Sequence, residues 1–315
     1  MLKAARPFLF ALAPLIVGLI VYSVYWRAEA ANFADVVASV GEPDVSGFPY
    51  RLNAPLPGID VTRGGEGARI ELTAGRSEIG RTPFQAYPLV GYLTDVEIDA
   101  EVAGFADARL TAPDARASLR ASNIIQRLSM GFERASLSAR GLPSATAAPL
   151  ELHFRETPVT APAGGADATP PAQAEARIGG TFDVDDLRFA ASIPFKITAD
   201  EPLASLVAWT DGGTIEIDGA TITSPDDEPL AGFDATIAPL PDGTLALSGR
   251  LDTDCPLTIT AMLGQGRYPA EEFRRRHPAR FTLGGTPTAP TLSEIRTPSG
   301  GLARNREPPC PDPRR

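Results

Sequence analysis

Lysine and histidine are almost missing from this chain of 315 residues, which holds only Lys3, Lys196, His153 and His277 of those types. So few imidazoles leave little material for a His-rich metal site or a Ser-His-Asp arrangement. Nor is there a GxSxG elbow, an HExxH pair or a GxxxxGK[ST] phosphate loop, so the familiar hydrolase, zinc-protease and nucleotide chemistries find no support. Basic excess is lacking as well. With a net charge of -10, the body repels nucleic acid and anionic headgroups at long range, and nucleic acid is excluded as a partner. Of the 29 basic residues all but the two lysines are arginine, and they scatter among acids rather than cluster. Cysteine occurs twice, as Cys255 and Cys310, with no CxxC pair and no thiol at a lipoprotein position. In an exported chain this count permits one disulfide, worth about 4 kcal/mol in the chain-entropy model, the alternative being two unpaired thiols.

What is plentiful is punctuation: 29 Gly and 31 Pro favour many short strands and turns over long helices. The exception is the amino terminus. After Lys3 and Arg6, the run from Phe8 to Trp26 carries no charge, and as a helix it is about 28 Å long, close to a bilayer's hydrocarbon thickness. Tyr22, Tyr25 and Trp26 gather at its far end, where amphipathic rings favour the interface, and the preceding basic residues orient the N-terminus to the cytoplasm. The expectation is a single-pass signal-anchor in the inner membrane with the rest of the chain in the periplasm. The rival is a cleaved secretory signal, since Ala28-Glu29-Ala30 has the small-x-small form, although the apolar run is long and Trp26 and Arg27 crowd the site. A short helical continuation through Asn32–Val37 is expected to dock on the domain, ending at Gly41 and Pro43.

From Asp44 onward, period-two alternation dominates, as in Arg69–Thr73, Val96–Val102, Leu150–Arg155, Thr214–Asp218 and Thr244–Ser248. Each run sets apolar side chains on one face and charges on the other, the mark of half-buried antiparallel strands. The predicted class is mainly β, a transmembrane helix followed by an extended antiparallel sheet with a few short helices. Those helices are predicted at Ser122–Met130, Asp200–Trp209 and Ala270–His277. The chain divides into a cytoplasmic stub with the membrane helix (1–30), a first half of the β domain (31–156), a flexible low-complexity insertion (157–177), a second half (178–296) and a disordered tail (297–315).

The order of features, a Trp at the helix exit, a juxtamembrane helix and then Gly47-Phe48-Pro49-Tyr50-Arg51-Leu52, resembles the bacterial envelope family known as domain of unknown function 2125. The stretches Trp209–Ile217 and Leu240–Leu251 are similar to that family's C-terminal half, and the strand-turn-strand texture is broadly AsmA-like. The resemblance implies an envelope role and supplies no catalytic residue, metal or cofactor.

Gly47, Phe48, Pro49, Tyr50 and Arg51 read either as a turn whose aromatics seed the core or as a contact for lipid or a partner. Acidic turns at Asp183–Asp186, Asp226–Glu228 and Asp252–Asp254 read as solvated carboxylates. Three functions follow: a non-enzymatic envelope protein whose one-faced strands shield an apolar groove for lipid or another envelope component; an anchored scaffold recruiting proteins by strand addition; and a hydrolase with an unfamiliar site that uses Asp185 or Asp254.

Overall fold

The computed structural model describes residues 2–38, 41–65, 68–102, 107–121, 126–140, 143–157, 172–199, 213–263, 267–295 and 309–314, with side chains of the first helix described from Gly18. Helix α1 (Leu2–Val37) leads into a sheet of sixteen antiparallel strands. The first nine are β1 (Leu52–Leu56), β2 (Ile59–Gly65), β3 (Ala68–Ala74), β4 (Ser77–Arg81), β5 (Leu89–Val102), β6 (Ala108–Ala121), β7 (Gln126–Phe132), β8 (Ala135–Ala139) and β9 (Ala145–Glu156). The remainder are β10 (Ala172–Val184), β11 (Leu187–Ala199), β12 (Gly213–Thr223), β13 (Pro229–Pro239), β14 (Leu245–Thr253), β15 (Ala279–Thr286) and β16 (Ala289–Glu294).

From β9 to β16 each strand pairs with the next in sequence. In the first half, β1 with β4 and β2 with β3 lie end to end along β5, while β7 and β8 share the gap between β6 and β9. The path runs from β1 to β16 without closing on itself, so the sheet is open. Two of its edges are blunted: β1 carries Pro55, and β16 is six residues long with Pro290 and a terminal Glu294, features that discourage pairing with another chain, whereas β2 pairs only with β3 and keeps a proline-free edge.

Two apolar clusters hold the sheet. In the first, Phe33 and Val37 of α1 pack with Leu52, Leu56, Val96, Phe132 and Leu150. The second joins Leu230, Leu251 and Phe281 to Ile259 of helix α2 (Pro256–Met262) and to the Cys255–Cys310 disulfide.

All five alternating runs of the sequence fall on strands, with Thr244 alone just outside its strand. The helices fare differently. Ser122–Met130 is not helical where described: β7 starts at Gln126, because Leu128 and Met130 alternate with polar residues and pair with Phe154 and Leu152 of β9. Ala270–His277 forms only a one-turn 3-10 helix at Glu271–Phe273, with Phe273 exposed, since no apolar stripe exists there to bury a longer one. Asp200–Trp209 lies outside the described residues. Helix α2 went unpredicted, because β-branched Thr258-Ile259-Thr260 have poor helix propensity; Pro256 at its first turn suits a helix start.

Residues 158–171 of the expected insertion lie outside the described residues, but Ala172–Arg177 belong to β10, whose neighbour is β9, so the sheet continues across it. Likewise 297–308 and 315 of the expected disordered tail lie outside. Residues 309–314 are ordered instead: Cys310 and Pro313 are buried, Arg188 N donates to the Pro313 carbonyl, and the Arg314 guanidinium sits 4.0 Å from the Tyr268 ring centroid. The disulfide supplies the reason, because it holds the tail beside β14's end.

Asp312 fixes the strap further. Paired hydrogen bonds from Arg314 at 2.9 and 3.0 Å hold its carboxyl down at about 2, and Arg274 adds attraction. A depressed carboxyl stabilises above its ordinary value and loses that contribution as pH falls through the folded one. Acidification from about pH 4 towards pH 2 should therefore loosen residues 311–314, read as movement of the Arg188 amide signal in NMR with a midpoint near 2, below that of amides beside carboxyls of ordinary value.

In β14, a methyl at Gly249 would collide with the Asp234 carbonyl oxygen and stand 2.8 Å from the Ala235 Cα. Gly249→Ala should cost about 1–3 kcal/mol through the forced backbone shift, measured by chemical denaturation.

Candidate functional site

One face of α1, spaced at three and four residues, carries Tyr22, Trp26, Glu29, Phe33 and Val37, with Tyr25 beside it. These side chains seat two loops. Tyr22 donates its hydroxyl proton to the Pro49 carbonyl, Tyr25 to the Pro83 carbonyl at 2.9 Å, and the Trp26 indole to the Arg51 carbonyl at 3.2 Å. One turn on, Glu29 meets Arg81 at 2.9 Å, and the Arg81 side chain is only 7% exposed. Its guanidinium also donates to the Gln85 carbonyl and lies 5.4 Å from the Phe33 ring centroid.

Gly47 has φ +99, and a β-carbon there would press on the Arg51 backbone, whose N–H returns to the Gly47 carbonyl at 2.9 Å. The motif is thus a turn, as one reading held, but its aromatics do not seed the core. Phe48 meets Trp26 edge-on at 5.5 Å, and Phe84 of the second loop stacks on Tyr22 and Tyr25 at 5.9 and 6.1 Å. Even so, Phe48, Phe84 and Tyr50 stay 47%, 67% and 79% exposed. The Phe84 loop escaped sequence reasoning; Thr82-Pro83-Phe84 offered a turn signal but nothing to link it to α1.

A second feature is a cross-strand row on the inner face. Leu89, Leu119, Leu128, Phe154, Ala176, Phe195, Ile217, Ala235, Gly249, Leu283 and Leu292 are successive partners from β5 to β16, with β8 off this row. At the usual strand spacing its contour is roughly 48 Å. Beside it run Met130-Leu152-Ile178-Ile193 and Ile197-Ile215-Ile237-Leu247. Between the two apolar clusters most of these side chains are only half-buried: Phe154, Ile193, Phe195, Ile197, Ile215, Ile217, Ile237 and Leu247 all keep solvent contact.

The outer face is charged and alternates in sign across strands, Arg155 to Glu175 to Lys196 to Glu216. It includes His153, whose Nδ1 lies 3.0 Å from the Ser129 hydroxyl and whose Nε2 lies 3.5 Å from Glu151. This has the outline of a nucleophile, a base and an orienting acid. All three face water, however, and the backbone N–H groups of β7 and β9 around them are spent in ladders on both sides, which leaves no backbone donor for an oxyanion, although Arg127, Arg155 and Arg177 line the same hollow.

The acidic turns stay apart. Asp185 and Asp186 form the β10–β11 turn, Asp226 and Asp227 the turn before β13, and Asp252 pairs with Arg280 at 2.6 Å and Arg250 at 3.0 Å. The Arg280 hydrogen bond leads in pulling the Asp252 carboxyl below its ordinary value. Among the described residues no group of three or more His, Cys, Asp or Glu side chains is placed to hold a metal ion.

Residues 25–248 match the family described as "uncharacterized protein conserved in bacteria (DUF2125)". The chain belongs to the DUF2125 family. No curated protein and no solved structure matches it. The family match takes in Tyr25, Trp26, the 47–51 turn and the apolar row as far as β13, and it stops short of Gly249, α2 and the disulfide.

Glu29→Ala in this DUF2125 protein strands the Arg81 charge. It should destabilise the helix-loop junction by about 1–3 kcal/mol, seen as a lower melting temperature and earlier proteolysis within 38–51. Glu29→Gln should recover part of the loss.

Proposed function

We propose that this protein is a non-enzymatic, membrane-anchored component of the bacterial envelope, held in the inner membrane by its N-terminal helix with the sheet in the periplasm, and that the inner face of the sheet contacts lipid. The observation that carries the reading is the partly exposed apolar surface of β9–β14, too long to be scattered surface hydrophobicity. A water-facing antiparallel sheet normally covers its apolar side, and acyl chains suit a stripe of Ile, Leu and Phe with no polar group to satisfy.

Support for the anchor comes from α1. The expected span, Phe8 to Trp26, has its first ten side chains outside the described residues, and among the described residues no helix is long and apolar enough to cross a membrane. What is described is a helix running unbroken over Leu2–Val37. Its Leu19, Ile20, Val21 and Val24 are each more than half exposed. Cleavage after Ala30 would remove Tyr22, Tyr25, Trp26 and Glu29 and leave Arg81 buried without its partner, which favours retention over the cleaved-signal alternative. Strand addition by a protein partner is disfavoured at β1 and β16 by their prolines, which leaves the edge of β2 as the place it would use. A hydrolase is disfavoured by the water-facing Ser129-His153-Glu151 group and the separated acids.

Photoactivatable diazirine lipids, crosslinked in intact cells and mapped by mass spectrometry, test the reading. Adducts are expected on inner-face residues such as Phe195 and Ile217. Adducts confined to residues 8–26 would sink the lipid-binding face, and Ile217→Glu should reduce the adducts on its neighbours while those on the helix persist.

A further inference from the structure

The geometry points to a second membrane contact: the exposed rings of Phe48, Tyr50 and Phe84 form a foot that rests in the headgroup layer of the bilayer around α1. The inference builds on the anchored reading above.

The expected span ends at Tyr22–Trp26, a stretch of roughly 6 Å along the helix axis, and amphipathic rings at such an end settle at the interface. The same residues clamp the 47–51 and 82–85 loops by their backbone carbonyls. The loops are therefore fixed at the height of the interface, not merely near it. Three hydrogen bonds, the Glu29–Arg81 pair and the buried Phe33 leave the helix no hinge there.

At that height the loops display aromatics that the protein itself does not cover. Phe84 is 67%, Tyr50 79% and Phe48 47% exposed, and the Phe48 and Phe84 rings join the Tyr22, Tyr25 and Trp26 rings of the helix in one aromatic surface, one turn beyond exposed Leu19, Ile20 and Val21. In water such a continuous patch is unfavourable by the ordinary apolar-area cost. In the interfacial layer the rings bury their bodies and the Tyr50 hydroxyl stays wet. The occupant is the bilayer surface, because the patch is continuous with the helix that enters it. The consequence is orientational: the sheet stands on the membrane at a fixed tilt and does not swing on a tether.

The test uses the full chain in phosphatidylcholine vesicles with single nitroxide labels at Tyr50→Cys and Phe84→Cys, and at Thr282→Cys on the outer face as the water reference. Cys255 and Cys310 are joined, so each variant takes one label. Collision with oxygen relative to a water-soluble nickel chelate should be several-fold higher at positions 50 and 84 than at 282. Equal, water-like ratios with the protein still in the vesicle pellet overturn the foot and leave the anchor standing. Protection from both reagents means a protein contact, such as a second copy, and also overturns it. Release of the protein into the supernatant overturns the foot together with the anchored reading. A loss of fold in one labelled variant shows as a lost strand signal in circular dichroism and rapid proteolysis, and the other position then decides.

Discussion

The constraint on which this molecule depends is parity. In an antiparallel ladder a residue and its partner face the same way, so whichever side one strand's apolar residues take is imposed on every strand after it. Sixteen strands in one sheet transmit that choice from the helix junction to the disulfide. A slip of one residue anywhere would turn a strand's Ile and Phe side chains out and its charges in. The chain survives twisting because parity errors are absorbed locally. Leu150 and Ala147 are both fully buried though three residues apart, because β9 carries an extra residue at the bulge opposite Gly180 and Phe182. In β12 the extra residue lies between Ile217 and Ala220, where Gly219 takes φ +71 and its N–H is held by Asp234 at 2.8 Å.

These bulges mark the limit of what could be read beforehand. Strict alternation located Thr214–Asp218, and it stopped there because Asp218-Gly219 breaks the period. The strand in fact runs on to Thr223 with Ala220 and Ile222 on the inner face again. The strand class was legible because each run is one-faced over several residues. Strand ends, bulges and the identity of neighbours were not, since they depend on pairings that no single run encodes. The 47–51 turn was visible as glycine, proline and aromatics, but its role needed Tyr22, Trp26 and Pro49 to be brought together from 27 positions apart. The Ser129-His153 contact was beyond reach for the same reason: it exists only because β7 and β9 are neighbours in one register.

The two faces of the sheet divide labour by chemistry. Outside, cross-strand charges of opposite sign make a water-facing lattice that contributes little to stability pair by pair but keeps that side wet and unsticky. Inside, the two apolar clusters sit at the ends, near α1 and near α2, and between them most of the large apolar side chains described are only partly buried. A fold that needed the middle only for stability would close it with a second layer. Here the described residues close the ends and leave the middle with partial cover.

The near-sequential order of the strands has a further consequence for how the chain assembles. A polypeptide delivered amino end first can add one hairpin at a time to a growing edge, paying loop-closure entropy in small increments because most partners are close in sequence. Among the described residues two ties wait for distant chain: the helix junction, complete once the Pro83 turn has emerged, and the strap at Cys310, which can reach Cys255 only after the 55-residue separation between them has been spanned. The first fixes where growth begins, and the second is a covalent record that it has finished.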